Sequence, residues 1–191
     1  MVYAAPFFLK IKSMACLLTE GRVEPCKDSV GGLTKVYFAD FGTLGVVTYA
    51  NPATSAQITT FASGTVYEYD LKGTSSFDQT ITSSRDNGTT FYDQLLNLTF
   101  HKLDYETNDQ IALLAVARPH CIIEDNNGNL FVAGLEYGMD CNGGTIVTGA
   151  AMGDLSGYTL TMQGMEKKPA NFTVGDITTL GVTVSPSQIN P

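Results

Sequence analysis

"TVYEYDLKGTSSFDQTITSSRDNGTTFYDQLLNLTFHKL", residues 65–103, decides the class of fold. In 65–72, Val66, Glu68, Asp70 and Lys72 fall on one side and Tyr67, Tyr69 and Leu71 on the other. A period of two is that of a β-strand. Gly73 turns the chain, and 75–83 alternates again, with Phe77 and Ile81 against Asp78, Thr80 and Thr82. Arg85-Asp86-Asn87-Gly88 is a turn signal, because Asn-Gly accepts the positive φ of tight hairpins. Residues 89–103 then place Leu96, Leu98 and Phe100 inward and Asn97, Thr99 and His101 outward. The spacing predicts three strands in an antiparallel meander with one apolar and one polar face.

The pattern extends both ways. Upstream, 33–41 and 44–50 have strand character, while 50–64 has no firm element and reads as a long loop. Downstream the period changes once. Residues 106–119 read as a helix, with Thr107 and Gln110 at capping-box spacing, Ile111, Leu114 and Ala115 on one face, and Pro119 as the stop. Then 121–125, a turn at 126–129, and 130–136 make a hairpin, and 144–150 and 157–164 add strands. In the last of these Tyr158, Leu160 and Met162 face inward, and Thr159, Thr161 and Gln163 outward. Strand character returns in 172–186. The sum is a mainly β chain, an antiparallel sandwich or barrel with one flanking helix.

Composition narrows the function. The 191 residues suffice for one sizeable core. Nineteen acidic residues against eleven basic ones give a net charge of -8, which opposes a DNA-gripping surface. No apolar run reaches the roughly 18 residues of a membrane span. Lys10 and Lys12 interrupt the apolar N-terminal stretch, so a signal peptide is not expected, and Met14 is an alternative start.

Chemical motifs are absent or incomplete. Cys16, Cys26, Cys121 and Cys141 form no CxxC pair; Cys16 and Cys26 would bridge only in an oxidising compartment. His120, Cys121, Cys141 and His101 are the sole material for a zinc site and read better as structural. Asp125, Asn127, Asn129 and Glu136 match positions of a calcium loop, but Leu130 stands where that loop needs glycine, so a hairpin turn is expected. No nucleophile motif, phosphate loop or dinucleotide fingerprint occurs. No catalytic residue, metal or cofactor is expected.

One resemblance organises these readings. The segment "GNLFVAGLEYGMDCNGGTIVTGAAMGDLSGYTLTMQGMEKKPANF", residues 128–172, resembles the closing region of the tail tube (major tail) proteins of long-tailed bacteriophages. The similar pieces are the hairpin at Asn127 and Gly128, the segment 149–153, the turn at 154–158, and the strand Thr159, Leu160, Thr161, Met162, followed by Gly164, Glu166 and Pro169. Residues 64–70 and "RDNGTTFYDQLLNLTF" are similar too. The likeness spans roughly 30–172, leaving 1–29 and 173–191 as terminal extensions or arms.

The resemblance implies six copies in a ring, rings stacked into a hollow tube, and DNA passing through a lumen built from joined sheets. The partners it implies are copies of the chain and other tail proteins, with no membrane; the place is the virion, after synthesis in the bacterial cytoplasm. Glu68, Asp70, Asp78 and Asp93 are the candidate lumen-facing acids. The loop 42–63 is the candidate inter-ring contact through Val46, Val47, Tyr49, Ile58 and Phe61, which a free loop would expose. Another virion protein (a head-tail terminator or decoration protein) and a secreted β-sandwich binding module remain the alternatives.

Overall fold

The alternating segments form strands, but they divide between two sheets. A computed structural model describes residues 21–52 and 57–185. One sheet has eight strands: β1 (Leu33–Ala39), β2 (Val47–Tyr49), β3 (Gln57–Phe61), β4 (Thr65–Asp70), β7 (His120–Asp125), β8 (Leu130–Ala133), β11 (Asn171–Thr173) and β12 (Thr183–Ser185). Their order is β12-β4-β1-β7-β8-β11-β3-β2. The other has four: β5 (Ser76–Ser84), β6 (Thr89–His101), β9 (Asp140–Val147) and β10 (Gly157–Glu166), in the order β5-β6-β10-β9. A single α-helix, α1 (Tyr105–Val116), flanks them among the described residues. The protein is a β-sandwich with one helix.

The expected meander is corrected at Gly73. β5 and β6 pair as the Asn-Gly hairpin predicts, but β4 pairs with β1 and β12 instead. Gly73 has φ 127°, and a Cβ there would lie 2.9 Å from the His101 ring. That left-handed corner carries the chain across to the second sheet instead of folding it back. The sheets are not wholly antiparallel either, since β11 runs parallel to β3 and β12 parallel to β4.

A short link curls the larger sheet. β3 and β4 are joined by residues 62–64 alone, yet stand five places apart in strand order. Five flat spacings would be ~24 Å, whereas four residue steps reach ~14 Å at most. The sheet therefore rolls until β3 comes round to β4. Phe61 N donates to Leu180 O at 2.7 Å, and Thr183 N to Gly64 O at 2.8 Å.

Two cores result. Between the sheets lie Val36, Phe38, Cys121 and Ile123 of the larger sheet against Leu96, Leu98, Tyr158, Leu160 and Met162 of the smaller one. Inside the curl lie Tyr37, Ile58, Phe61, Val66, Ile122, Val132 and Leu180. β1 and β7 are thus covered on both faces, which is why they read as nearly continuous apolar runs.

Several local expectations change. The segment 50–64 holds β3, and Ile58 and Phe61 are buried in the curl rather than exposed in a loop. The strand expected through 136 stops at Ala133. Helix α1 is capped by Asp104, whose Oδ2 accepts from Thr107 N at 3.2 Å, rather than by a box at Thr107 and Gln110. It buries Ile111 and Leu114, while Ala115 is exposed. The expected C-terminal arm is not separate as far as Ser185: a 3-10 turn, Ile177–Thr179, buries Ile177, Leu180 is buried, and β12 joins the sheet. Residues 1–20, Cys16 among them, and 186–191 lie outside the described residues.

The buried place of Ile58 has a measurable consequence. Ile58→Ala will cost about 2–5 kcal/mol in urea unfolding, the usual toll of a buried aliphatic truncation. A loss below about 0.5 kcal/mol, typical of surface positions, would place β3 outside the monomer's core.

Candidate functional site: the four-stranded sheet and its free edges

The outward face of the smaller sheet follows from its registers. Thr145, Thr159 and Thr99 stand in one row; Gly143, Thr161, Asn97 and Ser76 in the next; Gln163, Leu95 and Asp78 beyond it; then Met165, Asp93 and Thr80. Their side chains bind one another across the strands. Thr145 and Thr159 hydroxyls are 2.7 Å apart. Thr161 Oγ1 donates to Asn97 Oδ1 at 3.1 Å, and Asn97 Nδ2 to Ser76 Oγ at 3.4 Å. Gln163 Nε2 donates to both Asp93 oxygens at 2.8 and 2.9 Å, while its Oε1 accepts from Asn142 Nδ2 at 3.0 Å. A network satisfied internally offers few free groups to a passing molecule.

The charge on this sheet is one-sided. Its four strands contain no lysine and no arginine. This feature lay in the sequence but emerges only when the four strands are set side by side.

The candidate acids do not share one surface. Asp78 and Asp93 lie on the outward face just described. Glu68 and Asp70 lie on β4 of the other sheet, where Lys35 binds Glu68 and approaches Asp70 to 3.7 Å. Alternation predicted that each pair shares a face and could not tell that Gly73 separates the pairs.

The inter-ring set divides as well. Val46 is 75% exposed, Val47 and Tyr49 on β2 are half-buried, and Ile58 and Phe61 belong to the core. Burial within one subunit leaves Ile58 and Phe61 no surface for a neighbour. Two other apolar residues stand exposed: Ile81, which the alternation set with Phe77 on the apolar face, and Ile146, which sequence reading did not single out. Ile81 on β5 and Ile146 on β9 are 64% and 57% exposed, each on an edge of the small sheet.

Those edges are long. β5 and β9 run nine and eight residues, and among the described residues each pairs on one side only. An unpaired strand presents a row of N–H and C=O groups to any strand that reaches it.

The buried polar groups are committed elsewhere. Gln94 Oε1 accepts from Gly134 N, and Glu166 Oε1 accepts from Glu136 N and Tyr137 N, each at 2.9 Å. Burial pushes the Glu166 carboxyl above its usual range, although those two N–H groups oppose the shift. His120 Nε2 accepts from Gly42 N at 2.9 Å, so its proton sits on Nδ1, which donates to Gly134 O at 2.7 Å. Phe41 stacks on the ring at 5.0 Å, and Arg118 lies over Phe41. The Asp125 carboxylate is filled by the N–H and amide groups of Asn127 and Asn129, which makes the calcium-like segment a closed turn. Cys121 is fully buried, and burial pushes its thiol up. Among the described residues no group of three or more His, Cys, Asp or Glu side chains converges on a metal position, and no helix is long and apolar enough to cross a membrane.

No protein-family model, curated protein or solved structure matches this chain significantly.

His120 gives a pH signature. Burial lowers its folded pKa, so the neutral ring stabilises the fold fully above the unfolded value of about 6.5, and this contribution is lost as pH falls towards the depressed folded value. Urea midpoints will fall from about pH 7 to 5.5 in the parent, and the fall will be shallower in His120→Gln. Equal slopes would mean that His120 is not held neutral.

Proposed function

We propose that this chain is a structural subunit of a bacteriophage tail tube, whose copies join through the edges of the four-stranded sheet into rings stacked around a DNA channel. The observation that carries the reading is that sheet: two edges unpaired among the described residues, a polar face whose side chains bind one another, and strands without a single lysine or arginine.

The geometry supports closure. Three successive antiparallel pairings leave β9 running opposite to β5. The edge of one copy therefore meets the opposite edge of the next in antiparallel sense, and repetition of this head-to-tail contact can close a ring. Six copies supply 24 strands. At spacings of ~4.8 Å and tilts of ~35–45°, such a barrel measures roughly 45–50 Å between backbones. After both linings of side chains are subtracted, a duplex and its water still pass. Three copies would give about half that width, too little for DNA.

The electrostatics fit transport rather than capture. DNA is held mainly by Lys and Arg contacts that release counterions from its phosphates. A wall of Thr, Ser, Asn and Gln with Asp78 and Asp93 supplies no such contacts and repels the polyanion weakly. DNA and other tail proteins are the partners in this reading, and the virion is its place.

Size-exclusion chromatography with negative-stain microscopy of the purified chain will give rings or tubes with a central hole. A chain that stays monomeric at high concentration and binds glycans would instead support a β-sandwich binding module. The wall charge has its own test. Asp93→Lys, on the interior strand β6 away from the seam, will leave assembly intact but make the tubes retain DNA at about 50 mM salt and release it by about 200 mM. Retention equal to the parent's would remove this sheet from the lumen.

A further inference from the structure

We infer that the seam between copies has one register, in which Thr145 of β9 lies opposite Asp78 of the neighbouring copy's β5. The inference rests on the ring reading and deepens it.

Hydrogen-bond phase comes first. Lys102 N donates to Ser156 O at 2.7 Å, one step past the pair His101 and Gly157. Bonded and non-bonded pairs alternate along an antiparallel ladder. Phe100 with Tyr158 and Leu98 with Leu160 are therefore bonded pairs, and Thr99 with Thr159 is not. Consistently, Thr99 N turns the other way, to Ser75 Oγ at 3.2 Å. Carried outward through the registers, this phase turns the backbone groups of Phe77, Gln79 and Ile81 to the free edge of β5. It turns those of Ile146 and Gly144 to the free edge of β9. A seam makes its bonds only where Ile146 meets one of those β5 residues or their equivalent two positions away.

Stagger selects among these registers. Ser76 aligns with Asn97, whereas Val147 aligns through Gly157 with His101, so β9 ends four residues beyond the start of β5 on the common ladder. Pairing 143–147 with 76–80 takes up that offset as one residue per strand. One step of ~3.3 Å over a spacing of ~4.8 Å is a tilt of ~35°, within the ordinary barrel range. An offset of two residues gives ~19°, far below that range, whereas an offset of six gives ~46°, at its upper limit, so the side chains decide between four and six.

Side chains agree. The chosen register sets exposed Ile146 against Phe77, an aliphatic–aromatic pair on the core side, and Val147 beside Ser76. The six-residue offset sets Ile146 against Gln79, whose Oε1 already accepts from Ala170 N at 2.7 Å, and Val147 against Asp78.

The test uses the full chain with Cys16, Cys26 and Cys141 changed to Ser. Thr145 and Asp78 form a non-bonded seam pair with Cα atoms ~4.5 Å apart, close enough for a disulfide. Within one copy they are three strand spacings and four residue steps apart, ~19 Å, so a bridge joins copies only. Under mild oxidation Thr145→Cys with Asp78→Cys will give a covalent ladder at least tenfold stronger than Thr145→Cys with Thr80→Cys or with Ser76→Cys. Rings in which either control pair links best overturn the register. Rings in which no pair links overturn the edge-to-edge seam. Absence of rings in the unmodified chain removes the ring reading itself. Independently of the cysteine variants, Ile146→Lys in the unmodified chain will abolish rings while leaving the monomer's melting temperature within about 2 °C; rings that persist show that the seam does not cover Ile146.

Discussion

Residues 62–64 have to connect two strands that lie five places apart in one sheet. That constraint rolls the eight-stranded sheet on itself and creates the core within the curl. It also draws β3 towards the segment before β12, where Phe61 N donates to Leu180 O, and leaves that sheet only the three-residue strands β2 and β12 as edges among the described residues. Nothing comparable shelters the four-stranded sheet. Its inner face is packed on β1, β7 and their neighbours, while β5 and β9 each keep one edge without a paired strand among the described residues. The two longest strand edges unpaired among the described residues thus lie on one layer, with opposite strand directions, while the edges of the larger sheet, β2 and β12, are three residues each. A monomer with these edges invites uncontrolled association, and a closed ring uses the same groups as its joints.

How much of this was legible in the sequence depended on element length. β6 and β10 alternate for ten residues or more, and Leu96, Leu98, Phe100, Tyr158, Leu160 and Met162 are buried as that alternation requires. The two hairpins were marked by Asn-Gly turns. β3 was lost because five residues, QITTF, flanked by Ala, Ser and Asn, carry too little apolar signal. Gly73 announced a turn but not its destination; the same glycine serves a hairpin or a crossing between layers, and long-range packing decides. That one ambiguity split the expected acidic face into two unrelated pairs. The buried polar anchors Gln94, His120 and Glu166 were hidden for a different reason, since their partners are backbone groups of residues 42 and 134–137 that no side-chain pattern reveals.

These anchors bear on chemistry as well as stability. Groups that elsewhere serve as acids, bases or ligands here accept from or donate to the backbone, and each holds a glycine-bounded corner in place. What the described residues leave available includes backbone on the edges of β5 and β9, a polar face with Asp78 and Asp93 as its charges, and the apolar Ile81 and Ile146 on those edge strands.

The most direct test of the account is a cryo-electron microscopy map of the assembled chain. It should contain a continuous inner barrel made of β5, β6, β10 and β9 from every copy, tilted by about 35°, with Thr159, Thr161 and Gln163 facing the channel. An assembly whose lumen is lined by α1 or by the curled sheet, with β5 and β9 left unpaired, would contradict it.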